Sequence, residues 1–143
     1  MQRCMWLIRL EFDRREVRRV MMEILDRLAD KLMERIRHEI HMANLIASGR
    51  LIRSIDKRRI SDTEMEVGLT AKHAPVMNYG AEPHAPNYDE LLEWVIGKKG
   101  ETGDEARRAA WRIYWHIKKH GIEGRHYLDR AVVSLVKDLG GDV

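Results

Sequence analysis

Two pairs of histidines have a spacing that suggests metal chemistry. His38-Glu39-Ile40-His41 approaches the H-E-x-x-H pattern of zinc proteases, but its histidines are three residues apart where that pattern needs four. His116 and His120 are four residues apart, so they share one face of a helix. Two histidines without further ligands do not make a structural zinc site. We therefore predict no bound metal and no cofactor, and we interpret the second pair as a solvated helix end.

Nucleophiles and phosphate loops offer no better basis for an enzyme. Ser48-Gly49 lacks the G-x-S-x-G spacing of a nucleophile elbow, and the chain contains neither a G-x-G-x-x-G loop nor a Walker loop. The single cysteine, Cys4, lies in an alternating apolar row, where a free cysteine usually serves packing. Carboxylates are plentiful, but none is marked as half of an acid and base pair. The prediction is a protein that is not an enzyme.

A basic segment in the middle of the chain is a candidate binding surface. Across residues 50–59, a single acidic residue, Asp56, accompanies five basic residues: Arg50, Arg53, Lys57, Arg58 and Arg59. One interpretation is a solvated strand face with local salt bridges, and the other is a surface that faces nucleic acid or an acidic partner. No aromatic residue is interleaved, so any DNA contact is expected to reach phosphates only and to weaken with salt.

Three tryptophans form the other candidate set. Trp94, Trp111 and Trp115 fall in segments with helical periodicity. Aromatic residues at such spacing most often belong to a core, and this is our first interpretation. The alternative is a subunit interface, because aromatic side chains are enriched in the cores of interfaces.

The elements that position these residues follow from the spacing of apolar side chains. Residues 4–12 alternate between apolar and polar side chains, which predicts a strand with one buried face. Asp13 then has the residue type of a helix N-cap. Apolar residues recur every three or four positions from Val17 to Ile40, so we predict one long helix that ends near residues 44–49.

The middle of the chain predicts a hairpin, and the rest predicts helices. Residues 55–61 and 64–70 alternate around a two-residue turn, with basic side chains of the first strand opposite the glutamates of the second. Residues 73–87 contain all three prolines and are predicted to be loop. Three helices are expected after it, over residues 87–99, 104–120 and 126–139. The predicted fold class is α+β, in which the long N-terminal helix and the C-terminal helices pack on a small antiparallel sheet.

Length and composition limit the class of protein. The chain has 143 residues, 44% of them hydrophobic and 34% charged, which suits one domain spanning residues 1–143 and excludes a disordered or collagen-like chain. The apolar run at residues 4–8 is much shorter than the ~20 residues of a bilayer span, so we expect a soluble protein made in the cytoplasm. Residues 1–60 carry 15 basic and 9 acidic residues, and residues 61–143 carry 11 and 14. This two-signed charge suits head-to-tail assembly.

Three further segments form an ordered pattern. Residues 47–55 have the sequence ASGRLIRSI, residues 73–80 have HAPVMNYG, and residues 121–131 have GIEGRHYLDRA. Together they resemble three stretches of the neck proteins of long-tailed phages, a family of head–tail joining and tail-completion proteins, and the order agrees from about residue 13 to the C-terminus. Asn78 stands where that family usually has an acidic residue, and His126-Tyr127 replaces its Pro-Phe.

The resemblance implies an α+β protein that assembles as a homo-oligomeric ring in the virion, between the capsid connector and the tail. Its partners would be a head-closure or connector protein and a tail terminator or tube protein, with transient non-specific contact to passing DNA and no membrane. In such a ring, the basic residues 50–59 are expected to line the channel or to meet an acidic patch of the next subunit. The alternative is a small nucleic-acid-binding regulatory module, which predicts salt-dependent DNA binding by the isolated monomer.

Overall fold

One long helix organises the fold. The structure, a computed structural model, describes residues 13–141, and the strand predicted over residues 4–12, with its free cysteine, lies outside them. Helix α1 spans Arg14–Met42, and Asp13 caps it by accepting the N–H of Arg15 at 2.9 Å. The predicted long helix and its capping residue are therefore confirmed.

A short helix and a hairpin follow α1. Their bounds are Arg50–Arg53 for helix α2, Ile55–Ser61 for strand β1 and Glu64–Leu69 for strand β2. The two strands pair antiparallel with Ile55 opposite Leu69, and the hairpin packs on α1. The predicted hairpin is therefore confirmed within one residue of its bounds.

The basic segment does not lie on a strand over its whole length. Arg50 and Arg53 belong to α2, so the interpretation as a strand face is wrong for these two residues. Leu51 between them is buried in the main core. A helical turn at this position lets Leu51 reach the core while its charged neighbours remain in water.

The proline-rich segment contains more regular structure than the sequence predicts. Helix α3 spans Ala74–Tyr79, and strand β3 spans Gly80–Ala81 and pairs antiparallel with strand β4 at Ile122–Glu123. The prediction of a loop over residues 73–87 is therefore wrong for its first part. Pro75 does not prevent a helix, because it lies in the first turn, where its missing N–H is not needed.

Three longer helices complete the chain. They are α4 at Tyr88–Lys99, α5 at Gly103–His120 and α6 at Tyr127–Asp138. The side chain of Asn87 caps α4 by accepting the N–H of Asp89 at 3.0 Å and that of Glu90 at 3.3 Å. All three helices are confirmed within about one residue, because capping and breaking residues lie close to their ends.

Two apolar clusters hold the elements together. The larger one joins the second half of α1 to α2, β1, α3 and α6, and Ile36, Ile40 and Tyr127 are almost completely buried in it. The smaller one joins α4 to α5 and consists of Val95, Ala106, Ala109 and Ala110. The predicted α+β class is confirmed: helices dominate, and they accompany a small antiparallel sheet.

Two buried polar groups connect α3 to α6. The hydroxyl of Tyr127 donates a hydrogen bond to the carbonyl oxygen of Ala74 at 2.8 Å, and burial raises the pKa of this tyrosine to about 12. The side-chain oxygen of Asn78 accepts the N–H of Leu128 at 3.0 Å. The start of α6 is therefore fixed by groups that are about 50 residues distant in the sequence.

Candidate functional site

The five predicted basic residues do not form one continuous surface. Arg50 pairs with Glu93 of α4, while Arg53, on the same short helix, is exposed. The other three lie on β1, where Lys57 and Arg59 contact α1 and Arg58 contacts β2. Their charges are therefore distributed among structural contacts rather than gathered at one place.

Lys57 connects the hairpin to α1. Its ammonium group donates hydrogen bonds to Asp26 at 2.8 Å and to Asp30 at 2.7 Å. These two hydrogen bonds raise the pKa of Lys57, and the hydrogen bond from Lys57 lowers the pKa of Asp26. The geometry gives Lys57 a structural role, because both of its partners belong to the same chain.

Arg58 and Arg59 contact their own hairpin and α1. Arg58 pairs with Glu66 on the opposite strand, which confirms the predicted cross-strand pairing. Arg59 donates to the carbonyl oxygen of Met22 at 3.2 Å and to that of Ser61 at 3.4 Å. The local salt bridges expected for a solvated strand face are therefore present at Lys57 and Arg58.

A basic groove that the sequence does not predict lies next to Arg59. It has a volume of about 470 Å³, and its basic residues are Arg15, Arg18, Arg19 and Arg59. Arg18 and Arg19 follow Arg15 by three and four positions, which places all three on one side of the helix. The sequence shows that spacing, but it does not show that β1 and its Arg59 approach this face of α1. Glu23, Asp26 and Asp62 also line the groove, so its charge is mixed.

The three tryptophans are on the surface. Trp94 is 36% exposed, Trp111 is 45% exposed and Trp115 is 58% exposed, so the core interpretation is wrong for all of them. In the contact between the two helices, the buried residues of α5 are Ala106, Ala109 and Ala110, which cluster with Val95 of α4. Trp94 is separate from the other two, because it lines the cleft described below.

The exposed side of α5 combines tryptophans with cations. We call it the α5 outer face; it consists of Arg107, Arg108, Trp111, Arg112, Trp115, Lys118 and Lys119. Within residues 13–141, the ion pairs of this face are limited to the one between Arg107 and Asp104, at 3.4 Å. The ammonium group of Lys118 lies 4.9 Å from the centre of the Trp115 ring.

The first half of α1 carries apolar residues in water. No residue of α1 before Ala29 is buried, because α6 extends along α1 only as far as Arg35, where Asp138 pairs with it. Four apolar residues at helical spacing are 36–50% exposed there. We call them the α1 stripe; they are Val17, Val20, Met21 and Ile24.

A cleft separates α4 from α2 and the segment before α3. We call it the α2–α4 cleft, and its volume is about 640 Å³. Charged side chains on its two sides include Lys72 and Glu90. Its apolar lining includes Leu51, Val76, Leu91, Trp94, Ile117 and Ile122. Residues from all three segments of the sequence pattern line this cleft, although they are far apart along the chain.

The histidines give no metal cluster in the part of the chain that the structure describes. Within residues 13–141, no group of three or more histidine, cysteine, aspartate or glutamate side chains lies close enough together to hold an ion. His116 and His120 share one side of α5 with ring centres 4.8 Å apart, as their spacing predicts.

Comparison of the chain with models of known protein families, with curated proteins and with solved structures gave no match. Among residues 13–141, no helix is both long enough and apolar enough to cross a bilayer. A function is therefore inferred from the sequence pattern and from the surfaces described above.

Proposed function

We propose that this protein is a structural component of the neck of a long-tailed phage particle, where it forms a ring that joins the capsid connector to the tail and lets DNA pass. The ordered similarity of residues 47–55, 73–80 and 121–131 to neck proteins supports this function. The protein would act by shape, through contacts with its own copies, a connector or head-closure protein and a tail terminator or tube protein.

The observation that carries the proposal is the α1 stripe. An isolated exposed apolar residue needs no explanation, but four at helical spacing on the same half of one helix are typical of an interaction site. A ring is a head-to-tail assembly, so each subunit must present two different surfaces that fit each other. The α1 stripe is the protruding one of these two surfaces.

The α2–α4 cleft is a suitable second surface. It is concave and largely apolar, so it matches a helix that presents an apolar stripe. In the proposed ring, the α1 stripe of one copy enters the cleft of the next copy. This arrangement also explains why residues from the three similar segments, distant along the chain, line one cleft.

The basic residues suit a channel in which DNA slides. Arg50, Lys57 and Arg58 already pair with carboxylates of the same chain, which moderates their attraction for phosphates. Free arginines at every position would hold DNA through many phosphates, and this would oppose its passage. Arg53 and Arg59 complete the set of proposed channel or subunit contacts.

The experiment is to locate the protein in particles produced by the phage, provirus or gene-transfer element that encodes it. Gold-labelled antibody and electron microscopy of purified particles should show label at the junction of head and tail. Label confined to the capsid or distributed along the tail, or absence of the protein from purified particles, would overturn the proposal.

A second candidate function is a small nucleic-acid-binding module. The cations and exposed indoles of the α5 outer face favour it. It predicts that the isolated monomer binds DNA tightly at physiological salt, whereas a neck subunit in isolation does not need to.

A further inference from the structure

The α5 outer face combines closely spaced cations with exposed aromatic rings, which are the two features of surfaces that bind unpaired nucleic acid. We propose that this face binds a single-stranded nucleic acid, with bases stacked on Trp111 and Trp115 and phosphates held by the neighbouring cations. The face is separate from the α1 stripe and the α2–α4 cleft, so the proposal does not depend on the neck function.

The helix arranges cations and indoles in alternation. Arg108 and Arg112 are four residues apart, as are Trp111 and Trp115, and each tryptophan follows an arginine by three residues. Residues three or four apart lie on the same side of a helix. The two indoles are separated by about 6 Å along the helix axis, since each residue rises about 1.5 Å. One strand can therefore meet a ring and a cation at each turn.

The charge of this face is complementary to a polyanion. The helix carries five cations, and its only two acidic residues, Asp104 and Glu105, are both in the first turn. Asp104 pairs with Arg107. Within residues 13–141, no ion pair involves Arg108, Arg112 or Lys119, which are all exposed. Their charge is available to a ligand, unlike that of most cations on β1.

The indoles are held in place by other aromatic rings. Trp111 stacks on Tyr88 with ring centres 4.5 Å apart and meets Tyr114 edge-on at 5.1 Å. Tyr114 also meets Trp115 edge-on at 5.6 Å. Both indoles nevertheless remain about half exposed. Rings that are already ordered lose little side-chain entropy on binding, so they are favourable stacking platforms.

The pattern favours single-stranded nucleic acid over a protein or a duplex. Cores of protein interfaces are depleted in charged residues, whereas here exposed cations lie beside both indoles on the same face of the helix. In a duplex, the bases are stacked on each other, so they present no free face to an indole. Unpaired bases present such faces, and stacking on them tolerates any sequence.

The experiment is a titration of the purified chain with a short oligothymidylate, followed by tryptophan fluorescence and by a label on the oligonucleotide. We expect quenching of the fluorescence and an affinity that falls as salt rises. Trp115→Ala should weaken binding about tenfold or more, because it removes one stacking platform. Arg112→Ala should weaken binding and reduce the slope of log affinity against log salt by about one.

Trp94→Ala is the matched control, because it removes the same residue type from the α2–α4 cleft and should leave the affinity unchanged. Circular dichroism establishes that each variant is folded; if Trp115→Ala is not, Trp115→Tyr and Arg108→Ala replace it. Trp115→Tyr should keep most of the affinity because it retains a ring, and Arg108→Ala should weaken binding.

Three results of the nucleic-acid titrations would overturn the proposal. They are equal affinity of Trp115→Ala and the wild type, binding of a duplex as tightly as of the single strand, and binding without quenching. Polyglutamate that binds the chain and is lost in Trp115→Ala would assign the face to an acidic protein instead, and would overturn the proposal as well.

Discussion

At the scale of single residues, Asn78 links α3 to the start of α6. Its side chain is fully buried and accepts the N–H of Leu128 in the first turn of α6. The residue at the N-cap position of α6, His126, contributes no capping side chain and has a positive φ of 51°. Asn78 therefore caps α6 from another element. The sequence marked this residue as unusual, but it gave no sign of that contact.

We predict that Asn78→Ala destabilises the protein by about 1–3 kcal/mol, because it leaves the Leu128 N–H without a buried partner. Urea denaturation measures this change. Asn87→Ala removes a solvent-exposed cap on α4 and should cost less, about 1 kcal/mol. Equal costs for the two substitutions would show that the buried contact has no special weight.

Lys57 makes stability depend on pH in a direction that its partners determine. The pKa of Asp26 is lowered. The stability that its charged form contributes is therefore present above pH 3.8, the usual pKa of an aspartate, and is lost as the pH falls through the lowered pKa. The pKa of Lys57 is raised. The stability that its charged form contributes is therefore present below pH 10.5, the usual pKa of a lysine, and is lost as the pH rises through the raised pKa.

The test of this contact is Lys57→Met. The difference in urea midpoint between the wild type and this variant should be largest between about pH 5 and pH 9 and should disappear in strong acid. Arg58→Met, which removes an exposed cross-strand pair, should change the midpoint less. A difference that persists unchanged in strong acid would exclude the contact with Asp26 as its source.

At the scale of elements, the antiparallel pairing of β3 and β4 depends on two glycines. The backbone passes so close at this point that a Cβ on Gly121 would overlap the carbonyl oxygen of Ala81, and a Cβ on Gly80 would overlap that of Ile122. Both glycines also have a positive φ, which residues with a side chain rarely adopt. The segments around Gly80 and Gly121 are about 40 residues apart in the chain. They can approach this closely only because neither glycine has a side chain.

We predict that Gly121→Ala costs about 2 kcal/mol or more, because it adds both a clash and backbone strain. Gly68→Ala is the control, since a Cβ on Gly68 of β2 meets no atom within 4 Å. It should leave stability within about 1 kcal/mol of the wild type. Thermal denaturation of the two variants measures the difference. A Gly121→Ala protein as stable as the wild type would mean that the backbones of β3 and β4 do not approach this closely at Gly121.

The elements that were predictable are those with local signals. Asp13 and Asn87 cap their helices within two or three residues, and the hairpin strands alternate around a short turn. Helix α3 and the β3–β4 pair were missed because their stability comes from distant contacts, such as the hydrogen bond from Arg125 N–H to the Met77 carbonyl. Sequence patterns describe a segment and its neighbours, but not such a contact.

The sequence predicts which types of residue belong to the candidate site, but not which of these residues come together in the fold. The five basic residues of the middle segment are neighbours in sequence, but they contact three different elements in the fold. The helical period of the tryptophans of α5 favours a place in the core, yet alanines of α5 occupy the contact with α4. The cations of α5 stand at the same helical spacing, so the α5 outer face was present in the sequence and was overlooked.

At the scale of the whole molecule, the proposed neck function depends on two surfaces that remain uncovered in a single copy. Within residues 13–141, the half of α1 that carries the α1 stripe contributes no residue to the two apolar clusters, and the α2–α4 cleft is open and mostly apolar. Their fit between successive copies would turn a small α+β protein into a closed ring.

Complementation of a deletion tests this proposal most directly. Removing the coding sequence from the phage or provirus should give filled heads and separate tails in electron micrographs, and the wild-type chain should restore joined particles. Val20→Glu combined with Ile24→Glu should fail to restore them, because charge is introduced into the α1 stripe. Arg37→Glu, which changes the net charge by the same amount at an exposed position in the second half of α1, should restore them. Normal joined particles from the deletion, or from the double variant, would show that the protein does not join heads to tails in this way.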